Sequence, residues 1–385
     1  MKLLGLLALL LVASVYAQEA EDDGLAKDCD PEVCVLPNCR CSSTNIPGGL
    51  NARDTPQFVS VTFDDAVNVV NILDYRALLF NRKNKNGCPA GATFFVSHEY
   101  TNYQHVNELY NHGFEIALHS ISHQGPPGFW ATATEEILEK EIGEQRILMS
   151  HFANIPFNSI KGVRMPFLQL AGDASFKVMA KNNLLYDLSW PTVAHTNPGL
   201  WPYSLDYKST HDCIIGPCPT ASIPNVWVFP MVSWTDLAGF PCSMVDACYE
   251  PPADDDEEGW LKFILTNFER HYFGNRAPFG FFAHQPLISP EKPAIRNAFI
   301  RFLDIINNLD DVFMVNAEEV INWVKNPVPI NEYKNKSCHS FVPSTCPPFS
   351  CGNLQSPHNP SNTYWMQACN VCPNVYPWVN NPLGQ

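Results

Sequence analysis

Apolar residues gather along the chain in short runs, and each run gives way to a segment whose apolar positions lie three or four apart. Residues 58–63 form the first run, after which Val69, Val70, Leu73, Ala77 and Phe80 follow at helical spacing. Residues 92–96, 114–118, 160–163, 184–188, 226–232, 279–283 and 312–315 read as seven further strands. Helical patterns over 102–111, 174–182, 260–272, 294–307 and 318–324 separate most of them. One more helix opens at Thr132 or Thr134, with Glu135 and Glu136 in its first turn and Leu138, Ile142, Met149 and Phe152 as its inward stripe. Such an alternation predicts a parallel sheet wrapped by helices, an α/β fold of the distorted (β/α) barrel type. Residues 195–224 interrupt the rhythm, and the acidic run Asp254 to Glu258 reads as a solvated loop leading into a helix.

The two ends of the chain differ from this middle. Residues 1–17 read as a signal peptide: Lys2, an apolar centre too short to span a bilayer, then Val15-Tyr16-Ala17 as a cleavage site. Residues 18–55 form a cysteine-rich lead-in, expected to lie against the main domain as a strap. Residues 56–326 hold the barrel, and 327–385 a cysteine- and proline-rich C-terminal wrap with almost no periodicity. Fourteen cysteines, an even number, point to disulfides and an oxidising, extracellular compartment. Cys213 and Cys218 suggest a small stapled loop, and Asn335-Lys336-Ser337 a surface glycosylation acceptor. A net charge of −15 argues against nucleic acid and anionic membranes and suits a neutral or cationic polymer.

The apolar runs share a second property, because four of them stop at residues able to do metal or proton chemistry. Asp64-Asp65 ends the first, His119-Ser-Ile-Ser-His123 follows the third, Arg164 follows 160–163, and His284 follows 279–283. In barrels of this kind, reactive groups sit at the C-terminal ends of the strands. His119 and His123, spaced i and i+4, point the same way on a helical turn and grip one ion. With Asp65 they make a three-ligand site, open for water and substrate, in which zinc fits best and cobalt or nickel are alternatives. Asp64 is then free to take a proton from the attacking water. Arg164 pairs with Asp64 and keeps it charged and aimed, Phe167 offers a backbone N–H to an oxyanion, and His284 is the general acid. Asp187 is expected to orient His284. Trp130, Trp190 and Trp234 are candidates for stacking on sugar faces, with core packing as the plainer role.

These motifs, in this order, resemble the polysaccharide deacetylases of the NodB-homology family, carbohydrate esterase family 4: Thr62-Phe-Asp-Asp65, His119-Ser-Ile-Ser-His123, Arg164-Met-Pro-Phe167 and Phe282-Ala-His284. Residues 92–96 and 113–119 match the family's framework too, and the likeness runs over about 56–324. The lead-in Cys34-Val-Leu-Pro-Asn-Cys39-Arg-Cys41 and the cysteine-rich tail are similar to arthropod, insect-type chitin deacetylases. No separate six-cysteine chitin-binding module is found in the sequence. The resemblance implies a zinc ion on Asp65, His119 and His123, Asp64 as base, His284 as acid, and the Phe167 N–H in the oxyanion hole. It also implies a secreted monomer that removes acetyl from the N-acetylglucosamine units of chitin or its oligosaccharides. Phe167 stands where Tyr is commoner, and the stretch Asp187-Leu-Ser-Trp190 matches the family's fourth motif only loosely. Two other functions stay open: a catalytically weak protein that binds chitin and organises matrix, and a deacetylase of another polysaccharide.

Overall fold

The computed structural model describes residues 24–338, 341–356 and 358–385. The expected signal peptide lies outside the described residues. Strand β1 (Gln57–Asp64) is the axis of the fold and is buried along its whole length. Its even-numbered and odd-numbered side chains leave on opposite faces, as the period of a strand requires. Phe58 joins an inner cluster with Phe95, Ala117 and Phe282, whereas Val59, Val61 and Phe63 face the surrounding helices. Asp64 therefore ends the inward row.

Around β1 the parallel strands β2 (Thr93–Val96), β3 (Glu115–Leu118), β4 (Gly162–Val163) and β5 (Tyr186–Asp187) are laid down in turn. Two pairs lie outside the main sheet: β6 (Pro191–Thr192) with β9 (Met231–Val232), and β10 (Trp234–Thr235) with β11 (Pro241–Cys242). Strand β7 (Tyr203–Ser204) runs antiparallel to β8 (Trp227–Val228), which pairs with β5. Later in the chain, β12 (Phe279–Ala283) covers one edge of β1, and β13 (Val312–Met314) shares the other edge with β2. The order β12-β1-β2-β3-β4-β5-β8-β7 does not close on itself. The fold is thus a curled, open form of the expected barrel. Residues 226–232, read as one strand, break at Phe229-Pro230 into β8 and β9, since proline cannot donate to a ladder.

The lead-in covers the exposed edge at β7. Ser204 N–H donates to the Arg40 carbonyl at 3.0 Å, and Arg40 N–H to Ser204 Oγ at 3.1 Å. Capping an edge in this way prevents strand addition by another chain. Disulfides Cys29–Cys41 and Cys34–Cys39 fix the strap, and Cys213–Cys218 closes the predicted small loop. Every cysteine is paired, so Cys369 and Cys372 belong to separate bridges, Cys346–Cys369 and Cys351–Cys372.

The C-terminal segment is more ordered than its composition suggests. Strands β14 (Phe349–Ser356) and β15 (Asn359–Ala368) form an antiparallel hairpin whose Cys351, Leu354, Tyr364, Met366 and Ala368 join the core. A register shift between Cys351 and Leu354 breaks the alternation, which is why the strand is hard to see in the sequence.

Candidate active site

The mouth of the curled sheet is where the four stops meet. Asp64 leaves β1 on the inward row, and Asp65 follows with φ of +79°. That left-handed residue reverses the alternation, so adjacent carboxylates face one site instead of opposite sides of the sheet. The His119–His123 segment is a bend, not the helical turn expected from its spacing. Ser120 (φ +73°) and His123 (φ +44°) turn the chain back on itself, and this brings the two imidazoles together. Their ring centroids are 4.9 Å apart.

Neighbouring elements hold the bend in place. Glu141 accepts hydrogen bonds from Ser122 N–H at 2.9 Å and Ser122 Oγ at 2.6 Å, and Gln145 Nε2 donates to the carbonyls of Val96 and Ser120. Glu141 projects from a π-helical turn, Glu139–Gly143, a widening of the helix often found beside functional sites. Neither supporting residue ends a strand, so the pattern that marks the site residues could not mark them.

Ligand atoms of Asp65, His119 and His123 all lie within 4.8 Å of one another. Asp65 Oδ1 is 3.9 Å from His119 Nε2 and 3.6 Å from His123 Nε2. Donors about 2.1 Å from one tetrahedral zinc ion would stand about 3.4 Å apart, so both separations from Asp65 are slightly wider than that span and compatible with it. His119 Nδ1 lies 2.8 Å from the Arg164 carbonyl, which takes its N–H and leaves the Nε2 lone pair, on the side facing Asp65, available to an ion. Burial, only partly offset by Asp64 and Asp65, holds His119 below the usual histidine range, in the neutral form that binds metals. The residues present fit a divalent ion.

Asp64 is almost wholly buried and lies on Arg164, whose Nη1 donates to Asp64 Oδ1 at 2.5 Å and to Thr62 Oγ1 at 2.8 Å. Arg164 Nε donates to the Leu188 carbonyl at 2.8 Å, and its guanidinium lies over the rings of Phe95 and Phe282. The predicted Asp64–Arg164 pair is therefore present, set in an aromatic box. Phe167 and Leu168 both have φ of +57°, and the Phe167 ring stands 5.0 Å from that of His123. No acceptor among the described residues takes the Phe167 N–H, which leaves it available to a ligand.

His284 stands on the other side of Asp65, its Nε2 3.8 Å from Asp65 Oδ2. Its partner is Asp246, which accepts from His284 Nδ1 at 2.8 Å and from the His284 backbone N–H at 2.9 Å. Burial works against the imidazolium, but the Asp246 hydrogen bond and charge, reinforced by Asp64 and Asp65, outweigh it and raise His284 to about 9. Asp246 was missed by sequence reasoning. It sits in a one-turn segment inside the Cys242–Cys248 loop, where no periodicity or strand end marks it.

The structure corrects four of the expected site residues. Asp187 does not reach His284: its carboxylate is fully buried and accepts from Ser189 N–H at 2.9 Å and Ser189 Oγ at 2.5 Å. Burial pushes it up to about 6, against the pull of Ser189 and Arg164. Through Ser189 Oγ, which takes the Met165 N–H, it braces the segment that carries Arg164 and Phe167. Trp130, Trp190 and Trp234 are at most 2 % exposed, and a buried indole face cannot stack on a sugar. Trp130 donates to the Gln124 carbonyl, Trp190 lies flat on His211, and Trp234 packs among Phe263, Phe279 and Phe281. All three are core residues.

Comparison with known proteins shows the family. The family model described as polysaccharide deacetylase matches residues 51–184. A Bombyx mori protein called chitin deacetylase 8 is 65 % identical over 99 % of this chain and 98 % of its own length. Bombyx mori chitin deacetylase 1 is 40 % identical over 94 % of this chain and 70 % of its own. Among solved structures, a family 4 carbohydrate esterase from Streptomyces lividans in complex with acetate covers 67 % of this chain and 91 % of that chain. It is far more distant, with 13 % identity and a TM-score of 0.37. By its near full-length relatives and its matching domain, the chain belongs to the insect chitin deacetylases of the polysaccharide deacetylase family.

Proposed function

We propose that the protein is a secreted, zinc-dependent hydrolase that removes N-acetyl groups from the N-acetylglucosamine units of chitin or chitin oligomers, giving acetate and a chitosan-like product. The observation that carries this reading is the meeting of Asp65, His119 and His123 within 4.8 Å of one another, with Asp64 next to Asp65 in the chain and His284 3.8 Å from the Asp65 carboxylate. Asp65, His119 and His123 would hold the ion, which supplies Lewis-acid polarisation of the amide carbonyl and makes water more acidic. Asp64 accepts the proton of the attacking water, held in place by Arg164. The Phe167 N–H donates to the oxygen that gains charge as water adds to the acetyl carbon. His284, steadied by Asp246, gives its proton to the departing nitrogen as the C–N bond breaks. Seven disulfides among the described residues support an extracellular home.

Acetate release from soluble N-acetylglucosamine oligomers, acetylated xylan and peptidoglycan tests the substrate. The chitin oligomers are expected to be turned over fastest, and a clear preference for xylan or peptidoglycan would replace the chitin assignment. A second expectation concerns pH. An acid works only while protonated, so turnover should fall on the alkaline side as His284, raised by its hydrogen bond to Asp246, loses its proton. Asp246→Asn removes the charge that raises His284, so the alkaline limb of the kcat profile should move to lower pH. An unmoved limb would separate His284 from the proton donor.

A further inference from the structure

The C-terminal hairpin carries a feature that the catalytic site does not use. Tyr364, Met366 and Ala368 of β15 point into the core, so Thr363, Trp365 and Gln367 alternate outward. Trp365 is 70 % exposed although it is the largest side chain on that face. Its ring is not loose. The six-membered part lies across Gly352 on the facing strand, where a Cβ would fall 2.3 Å from the ring. Glycine at 352 therefore seats one face of the indole on the strand and leaves the other face open. No acceptor among the described residues takes its Nε1–H.

The surroundings say what that open face suits. Ser350 lies across the hairpin from Gln367, and Gln355 across from Thr363, so the indole is flanked by hydroxyl and amide groups. Gln367 Oε1 accepts from Ser350 Oγ at 2.8 Å and from Gln104 Nε2 at 3.2 Å, leaving its NH2 group without an acceptor among the described residues. After Lys336 the chain contains no Asp, Glu, Lys or Arg, although the whole protein carries a net charge of −15. The hairpin itself carries no Asp, Glu, Lys or Arg to pair with a charged partner, and a single indole is too small an apolar patch for a protein interface. A flat aromatic face ringed by neutral donors and acceptors instead matches a pyranose ring, which offers C–H bonds on its face and hydroxyl and acetamide groups at its rim.

We infer that the outer face of this hairpin is an accessory carbohydrate-binding surface, in which Trp365 stacks on an uncharged N-acetylglucosamine unit and Gln367 donates to its rim. This rests on the chitin reading proposed above. The platform is fixed to the body of the fold. Cys351–Cys372 and Cys346–Cys369 staple it, Tyr376 N–H donates to the Gln355 carbonyl, and the Pro377 carbonyl is bonded to His98, just past the end of β2.

Binding of the full chain to insoluble chitin, together with acetate release from soluble N-acetylchitotriose, tests the inference. Trp365→Ala is expected to bind insoluble chitin about tenfold more weakly, the size of effect a buried-on-binding tryptophan typically carries. Its turnover of the trisaccharide and its melting temperature should be unchanged, since the side chain lies outside the core. Trp365→Phe should recover most of the binding. Gly352→Ala, which keeps the indole but pushes it off the strand, should lose binding as Trp365→Ala does. If both Trp365→Ala and Gly352→Ala bind chitin like the wild type while the wild type deacetylates the trisaccharide, the accessory surface is refuted and the proposed function stands. If the wild type neither binds chitin nor releases acetate, both fall together.

Discussion

Asp64→Asn is expected to lower kcat for acetate release by about two to four orders of magnitude, the range that a positioned general base contributes. The substitution keeps the shape of the side chain, and an amide oxygen still accepts from Arg164 Nη1. What it removes is the ability to take a proton from water. Asp65, His119 and His123 are untouched, so metal content should equal that of the wild type, and KM should change little. Arg164 would lose the charge opposite its buried guanidinium, so some loss of stability accompanies the loss of rate. Measuring the melting temperature alongside kcat separates the two effects. A variant that keeps a tenth or more of wild-type turnover while folded would remove Asp64 from the reaction.

Arg164→Met is expected to cost about 3–5 kcal/mol of folding stability, the loss typical of breaking a buried pair on one side only. Three reasons converge on this residue. Its side chain is fully buried, it holds Asp64, Thr62 and the Leu188 carbonyl at once, and it fills the space between Phe95 and Phe282. Lysine cannot substitute, because one ammonium lacks the planar fork that reaches all three acceptors. The double variant Asp64→Asn/Arg164→Met should regain much of the stability, because no charge is then left buried and alone, yet stay inactive. Denaturant midpoints for the two single variants and the double variant provide the check. Equal stability of wild type and Arg164→Met would mean that the pair is not structural.

Much of the site was legible because strand and function share a boundary. Asp64, Asp65, His119, His123, Arg164 and His284 each follow an apolar run, and a curled parallel sheet gathers the ends of such runs at one mouth. Asp246 was not legible for the same reason turned around. It reaches His284 from a disulfide-closed loop 38 residues earlier in the chain, and that loop has no period of its own to read. The tryptophans show another limit. Composition reveals that an indole is available but not which way it faces, and Trp130, Trp190 and Trp234 turned inward while Trp365 did not. The His119 and His123 rings come together by a route that their spacing does not suggest. Spacing suggested a helical turn, but two left-handed residues bring the rings together. The same preference for regular periods hid the C-terminal hairpin behind its register shift.

The metal content of the purified protein, measured for wild type and for His119→Ala with folding checked by melting, tests the central claim most directly. One divalent ion per wild-type chain, lost from the folded variant together with acetate release, is the predicted result. An ion retained at full occupancy by folded His119→Ala would contradict it, because Asp65, His119 and His123 could not then be the three groups that hold the metal.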